Sequence, residues 1–225
     1  MWKYIRALLI DQSCYGCGNM LTSQEAHICL NCMAAMEETG FQFQPQNNEL
    51  YYRMAGRLPL AGAASLYYFD KGGRLQRILK QLKYEEAPML GQRLGQLLGE
   101  RLAGSPLVAD IDRVVPIPLH PRRQTSRGYN QGERIARSMA GVLDLPVDMG
   151  LVRRVRHTQT QARKQGVARW KNVDGAFLAT GQPSGHVLLV DDVITTGATL
   201  VSCGQSLAAA APSLRLSVVS VGMAR

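Results

Sequence analysis

The apolar run Val187-Leu-Leu-Val190 stops at two adjacent carboxylates, Asp191 and Asp192. The small-hydroxyl stretch Thr195-Thr-Gly-Ala-Thr199 follows, and after it an apolar, helix-like stretch over residues 200–211. No other part of the chain constrains the fold as tightly, because the order strand, acidic pair, small loop, helix is one that can grip a sugar phosphate. A helix N-terminus offers free backbone N–H groups and the positive end of its dipole, and both hold a phosphate dianion. Gly197 and Ala198 let the backbone come close to that phosphate. Thr195, Thr196 and Thr199 add hydroxyl donors. The acidic pair repels phosphate; it suits the vicinal hydroxyls of a ribose, which donate hydrogen bonds to carboxylates. One loop would then hold both ends of a ribose 5-phosphate. An ordinary strand–turn–helix with an Asp N-cap and threonine turn residues accounts for one carboxylate and less well for the second.

The 225 residues suffice for one good core and a small appendage. No apolar run approaches the roughly 20 residues of a membrane-spanning helix. The opening stretch, residues 1–11, is apolar only briefly and lacks a small-residue cleavage site. The expectation is a cytoplasmic protein without membrane contact. The formal net charge of +9 favours anionic partners, whether nucleotide, pyrophosphate or nucleic acid, without choosing among them.

Four of the five cysteines form two pairs, Cys14-x-x-Cys17 and Cys29-x-x-Cys32. Two such pairs fit a tetrahedral zinc site, each contributing a short knuckle. A disulfide reading is weak without a secretion signal. A redox Cys-x-x-Cys stays open, although it would leave the second pair without a purpose. With no acid nearby to hold an open position, the zinc reading is of a closed, structural site. Cys203 lies among apolar residues and reads as a small core side chain.

Along the chain, residues 41–59 are rich in Gln and Asn and read as a linker. Residues 60–69 suit a strand or hairpin. Leu75, Ile78, Leu79 and Leu82 lie at helical spacing, as do Leu90, Leu94, Leu97, Leu98 and Leu102. Residues 113–118 read as a short strand ended by prolines. Residues 132–143 suit a third amphipathic helix with Ile135, Met139 and Val142 inward. Residues 187–190 and 214–221 read as buried strands. Strands alternating with helices imply an α/β fold with a parallel-rich sheet covered on both faces. Ligands then bind at the C-terminal strand ends, where Asp191 to Thr199 falls.

Two basic segments stand out. Residues 115–123 follow a strand end, with prolines that stiffen the loop and Arg122, Arg123 and Arg127 that charge it. A rigid basic loop at that place suits a pyrophosphate leaving group; a solvated loop before a helix is the plainer alternative. Residues 153–172 carry Arg153, Arg154, Arg156, His157, Arg163, Lys164, Arg169 and Lys171 with little apolar periodicity. They read as a loop closing over a reactive sugar, or as a nucleic-acid contact, and the roles overlap. Lys83 ends a helix and can reach a phosphate, though an exposed helix-end lysine needs no function. No Ser–His or Cys–His pairing suggests a covalent nucleophile.

The stretch Val190-Asp-Asp-Val-Ile-Thr-Thr-Gly-Ala-Thr199 resembles the phosphoribosyl pyrophosphate (PRPP) motif of the type I phosphoribosyltransferases. The double Cys-x-x-Cys, Leu82-Lys-Tyr84, Pro116-Ile-Pro-Leu-His-Pro121, Arg127-Gly-Tyr-Asn-Gln131, Thr160-Gln161, and Arg169 and Asn172 ahead of Ala176-Phe177 extend the likeness over nearly the whole chain. Taken together it resembles the ComF-type competence family, phosphoribosyltransferase-like proteins linked to DNA uptake. The resemblance implies a type I phosphoribosyltransferase fold, a parallel-rich sheet flanked by helices, over residues 46–225, with a small N-terminal four-cysteine zinc module over 1–45. It puts Asp191 and Asp192 at the ribose, and Thr195, Thr196, Gly197, Ala198 and Thr199 at the 5-phosphate. Ile117, Pro118, Leu119 and His120 would meet pyrophosphate, helped by Arg127 and Lys83. Arg163, Lys164 and Arg169 would be the catalytic cations of a flexible loop. Mg2+ would bind mainly through PRPP's own oxygens. Many relatives carry further cysteines after the first four; this chain has none before Cys203, which speaks against a second metal site.

Two functions follow as expectations. One is transfer of phosphoribose from PRPP to an acceptor with release of pyrophosphate, serving DNA uptake, natural transformation or nucleotide metabolism. The other is a non-catalytic adaptor that contacts single-stranded DNA or a DNA-uptake helicase. In the cysteine module Lys3 and Arg6 stand against Asp11, Glu25, Glu37 and Glu38, and that balance favours a protein contact there over DNA. Fold alone does not choose between the two, and the acceptor and the oligomeric state are not legible.

Overall fold

The computed structural model describes residues 13–84, 87–156 and 175–225, without the side chains of Tyr84, Pro88, Arg123, Ser126 and Arg127. In chain order the elements are α1 (Leu30–Ala34), a 3-10 turn (Phe41–Phe43), α2 (Glu49–Ala55), β1 (Gly62–Phe69), α3 (Arg74–Tyr84), α4 (Pro88–Leu102), β2 (Arg113–Pro116), α5 (Pro121–Arg127), α6 (Gln131–Leu143), β3 (Val152–Arg154), β4 (Phe177–Ala179), β5 (His186–Ile194), α7 (Ala198–Ala210) and β6 (Arg215–Ala224).

Four strands make one parallel sheet in the order β1-β6-β5-β2. Its two central strands are buried along most of their length because both faces are covered, and in β5 Val187, Leu188, Leu189 and Val190 form a fully buried apolar run. A small antiparallel pair, β3 with β4, stands apart.

The register explains where the site forms. β2 ends at Pro116, opposite Val190, whereas β6 accompanies β5 as far as Ile194. Beyond Val190, β5 therefore has a sheet neighbour on one side only. The strand does not stop at the acidic pair, as the sequence suggested, but carries it, with Asp192 turned inward and Asp191 half-buried. Two carboxylates usually mark a strand's end; here β6 supplies the backbone partners that keep the strand going.

α4 and α6 pack closely along Gly91, Gly95 and Gly99, spaced one helical turn apart. A Cβ on Gly95 would lie 2.4 Å from the Ile135 carbonyl oxygen and 2.8 Å from the Ser138 Cβ. Ser138 donates to the Gln92 carbonyl across the seam. Val142, expected inward, is 42% exposed. It covers the flank of α4 beside Gly99, where a Cβ would stand 2.8 Å from its own.

The segment read as a linker is structured. Asn48 caps α2 by accepting from the Tyr51 N–H, and α2 buries Leu50 and Met54. Among the described residues no helix is long and apolar enough to cross a membrane.

Candidate functional site

Asp191 and Asp192 lie where β5 outlasts β2. The Asp192 carboxylate is buried, and Lys83 Nζ from the end of α3 stands 2.6 Å from its Oδ2. Its Oδ1 accepts from the Val193 N–H at 2.8 Å, while Asp191 Oδ1 accepts from the Asp192 N–H at 2.8 Å. Burial disfavours the charged form of both, and the two acids then diverge. Burial, reinforced by the neighbouring Asp192 charge, pushes Asp191 up to about 8. At Asp192 the Lys83 ammonium outweighs the burial penalty and holds the carboxyl below its ordinary value. The site thus offers one firmly ionised carboxylate and one whose proton is exchanged near neutrality.

The turn after β5 is shaped by Gly197, at φ 75°. Its conformation suits glycine, and its missing side chain admits Met54, whose Sδ would lie 2.9 Å from a Cβ there. Gly197 is the N-cap of α7 and offers no side-chain cap hydrogen bond, which leaves the positive end of the helix dipole open to an anion. Thr196 Oγ1 accepts from the Ala198 N–H at 3.4 Å. Thr195 is exposed and Thr199 half-buried at the start of α7. Arg53 Nη1 donates to the Thr195 carbonyl at 2.9 Å and to the Ala224 carbonyl at 2.6 Å. Arg53 belongs to α2, and the linker reading gave no reason to look there.

The loop after β2 stands beside the acids through the Pro116–Val190 register. Ile117 is buried; its N–H donates to the Val190 carbonyl and its own carbonyl accepts from Asn130 Nδ2. Its amide is therefore committed to the sheet, and an anion would meet Pro118, Leu119 and His120, all half-buried. His120 caps α5, its Nδ1 accepting from the Arg122 N–H at 3.2 Å. Arg163, Lys164, Arg169 and the side chain of Arg127 lie outside the described residues. Arg154, read as part of a loop, is buried on β3 with its guanidinium 5.2 Å from the centre of the Phe177 ring.

The sulfurs of Cys14, Cys17, Cys29 and Cys32 all lie within 4.8 Å of one another, Cys17 and Cys29 at 3.7 Å. Four thiolates at about 2.3 Å from one zinc ion would be roughly 3.8 Å apart, so the set fits a metal ion. Gly16 and Cys29 N–H groups each donate to Cys14 Sγ at 3.3 Å, and Cys32 N–H to Cys29 Sγ at 3.4 Å. Burial raises the Cys14 thiol, but these donors outweigh it and bring it down to about 6.

At the opposite end of the strands a cleft of about 610 Å³ opens beside His186, Arg215 and Asp110. His186 Nδ1 lies 2.9 Å from Asp110 Oδ1 and its Nε2 2.9 Å from Ser217 Oγ. This Ser–His–Asp alignment was not legible in the sequence. Ser217 is fully buried, so no substrate reaches its hydroxyl, and the relay ties the starts of β5 and β6 to the loop before β2.

The fold is of the type I phosphoribosyltransferase kind, a parallel sheet flanked by helices, and its β5 carries the acidic pair just before a glycine-capped helix. Residues 129–224 match the phosphoribosyl transferase domain family, and the four-cysteine cluster precedes that region. Over 93 residues the chain is 42% identical to Competence protein F of Haemophilus influenzae, covering 40% of this chain and 41% of that protein. It is 34% identical over 140 residues to DNA utilization protein YhgH of Salmonella typhi, covering 59% and 60% respectively. The chain thus spans less than two thirds of the length of these relatives. Adenine phosphoribosyltransferase from Leishmania tarentolae aligns over 84% of this chain and 94% of its own at 12% identity, with a TM-score of 0.37. The phosphoribosyl transferase domain and the competence and DNA-utilization relatives support an assignment to the ComF family.

Proposed function

We propose that this protein binds PRPP with Mg2+ at the β5–α7 turn and transfers its phosphoribosyl group to an acceptor, releasing pyrophosphate. The observation that carries the reading is the juxtaposition of a lysine-neutralised Asp192, a half-buried Asp191 and a helix capped only by Gly197. The ribose hydroxyls donate to Asp191 and Asp192. The 5-phosphate takes the first-turn amides of α7 and the hydroxyls of Thr195, Thr196 and Thr199. Pyrophosphate lies against the loop of Pro118, Leu119 and His120, near Arg127.

In the reaction an acceptor lone pair closes on C1 of the ribose. The C1–O bond to pyrophosphate breaks with its electron pair, and the acceptor's proton passes to water. Positioning and charge stabilisation carry such a step. Arg163, Lys164 and Arg169 supply positive charge and cover the sugar from water. Lys83 already neutralises Asp192, so the protein offers no carboxylate cage, and Mg2+ enters on PRPP's oxygens. The cysteine cluster holds zinc as a closed structural site, all four ligands coming from the chain. The names of the relatives support a role in DNA uptake or utilisation, with single-stranded DNA or an uptake helicase as partner, and the net charge of +9 suits the former.

Pyrophosphate release from PRPP and Mg2+, measured across nucleobase and amine acceptors, tests the transferase reading. Release with at least one acceptor, abolished by Asp191→Asn with Asp192→Asn, is expected. Release from none of them overturns it.

A further inference from the structure

We infer that Arg74 is a positioning residue that ties the cysteine cluster to the acidic pair through helix α3, so that a metal-loaded cluster keeps Lys83 on Asp192. Arg74 is the first residue of α3, and its Nη1 donates to Cys32 Sγ at 3.4 Å. Gly16, inside the first Cys-x-x-Cys, stands against both Cys32 and Ile78 of α3. A Cβ there would lie 2.8 Å from Cys32 Sγ and 3.4 Å from Ile78 Cδ1. The first knuckle therefore rests directly on the middle of α3.

At the other end of the helix the Tyr129 hydroxyl donates to the Leu82 carbonyl. The next residue, Lys83, reaches Asp192. Between the two ends Leu75, Ile78, Leu79 and Leu82 are buried, so the helix cannot slide without unpacking the core. Its eleven residues span about 16 Å at 1.5 Å per residue. α3 is thus a strut with one end on the cluster's sulfur and the other on the ribose-binding acid.

The chemistry gives the strut a reason. Four thiolates around one Zn2+ leave a net negative charge, and an N–H donor to a ligand sulfur is the kind of outer partner that such sites use to fix ligand orientation. Without the ion the sulfurs lose what gathers them, Arg74 loses a fixed acceptor, and the first turn of α3 loses its anchor. The consequence for sugar-phosphate binding rests on the PRPP reading above; the coupling along α3 does not.

The test compares wild type, Arg74→Gln and Arg74→Lys for zinc content, for hydrogen exchange over residues 79–83, and for PRPP affinity in the presence of Mg2+. In Arg74→Gln we expect zinc to be retained at one per chain and exchange over residues 79–83 to speed up about fivefold, the lower end of couplings between distant sites. PRPP affinity should fall by a similar factor, and Arg74→Lys should recover part of both effects. Unchanged exchange at 79–83 with zinc retained overturns the inference. Loss of zinc in Arg74→Gln also overturns it, because Arg74 would then only support the metal site. Wild type that binds no PRPP, with the exchange effect intact, overturns the PRPP reading and leaves the coupling standing.

Discussion

Asp191 and Asp192 are neighbours in sequence with opposite electrostatics, and the difference comes from one side chain. Lys83 stands on Asp192, whereas Asp191 has burial and a like charge against it. Sequence showed the pair and its suitability for ribose hydroxyls. It also singled out Lys83, but as a pyrophosphate contact, because nothing local to the helix reveals a partner on a distant strand. The Asp191 asymmetry has a measurable sign. Its folded pKa of about 8 lies above the ordinary carboxylate value that it has when unfolded. Between those values the folded state binds the extra proton, so this group's contribution to stability falls as pH rises through the window. Asparagine has no proton to lose. Asp191→Asn should therefore melt higher than wild type, with the gap widening from pH 5 to about pH 8 and levelling above it. A gap that stays constant or narrows contradicts the charge burial at this position.

At the scale of elements, strong periodicity was legible and context-dependent structure was not. The leucines of α3 and α4 announced both helices, and the continuous apolar run of β5 announced a doubly covered strand. The extension of β5 through two acids was hidden because it depends on the length of β6, and α2 was hidden because a Gln/Asn-rich segment masks one short, capped helix. β3 was missed because it is only three residues long and one of its two buried side chains is Arg154, a residue type ordinarily exposed. The α4–α6 seam makes a paired prediction from two helical glycines. Gly95→Ala forces a methyl onto the Ile135 carbonyl and should destabilise by about 1–3 kcal/mol, as overpacking does. Gly141, in α6, faces open space, so Gly141→Ala should stabilise by roughly 0.4–1 kcal/mol through reduced freedom of the unfolded chain. Urea midpoints measure both, and equal effects of the same sign would contradict the close packing of the seam.

Across the whole molecule, the parallel sheet separates two chemically different ends. One carries the acidic pair, the glycine-capped turn and the proline-rich loop; the other carries the Asp110–His186–Ser217 relay, which locks strand starts together. The cysteine cluster packs into the same hydrophobic core as the sheet. Removing the proposed zinc should therefore lower the melting temperature of the entire protein in one transition, read by calorimetry before and after chelation; an unchanged melt would contradict a structural metal. The family-level motifs were legible because each contains residue types with a specific chemical task. The acceptor was not, because no matching pocket chemistry is local in sequence, and the basic segment with Arg163, Lys164 and Arg169 lies outside the described residues. The central claim is that the β5–α7 turn holds a ribose 5-phosphate. Calorimetric titration of PRPP with Mg2+ into wild type and into Asp191→Asn/Asp192→Asn, with melting curves confirming that both are folded, tests it most directly. Saturable binding by wild type that is lost in the folded double variant is the predicted result. Absence of binding by wild type, or equal binding by both, contradicts it.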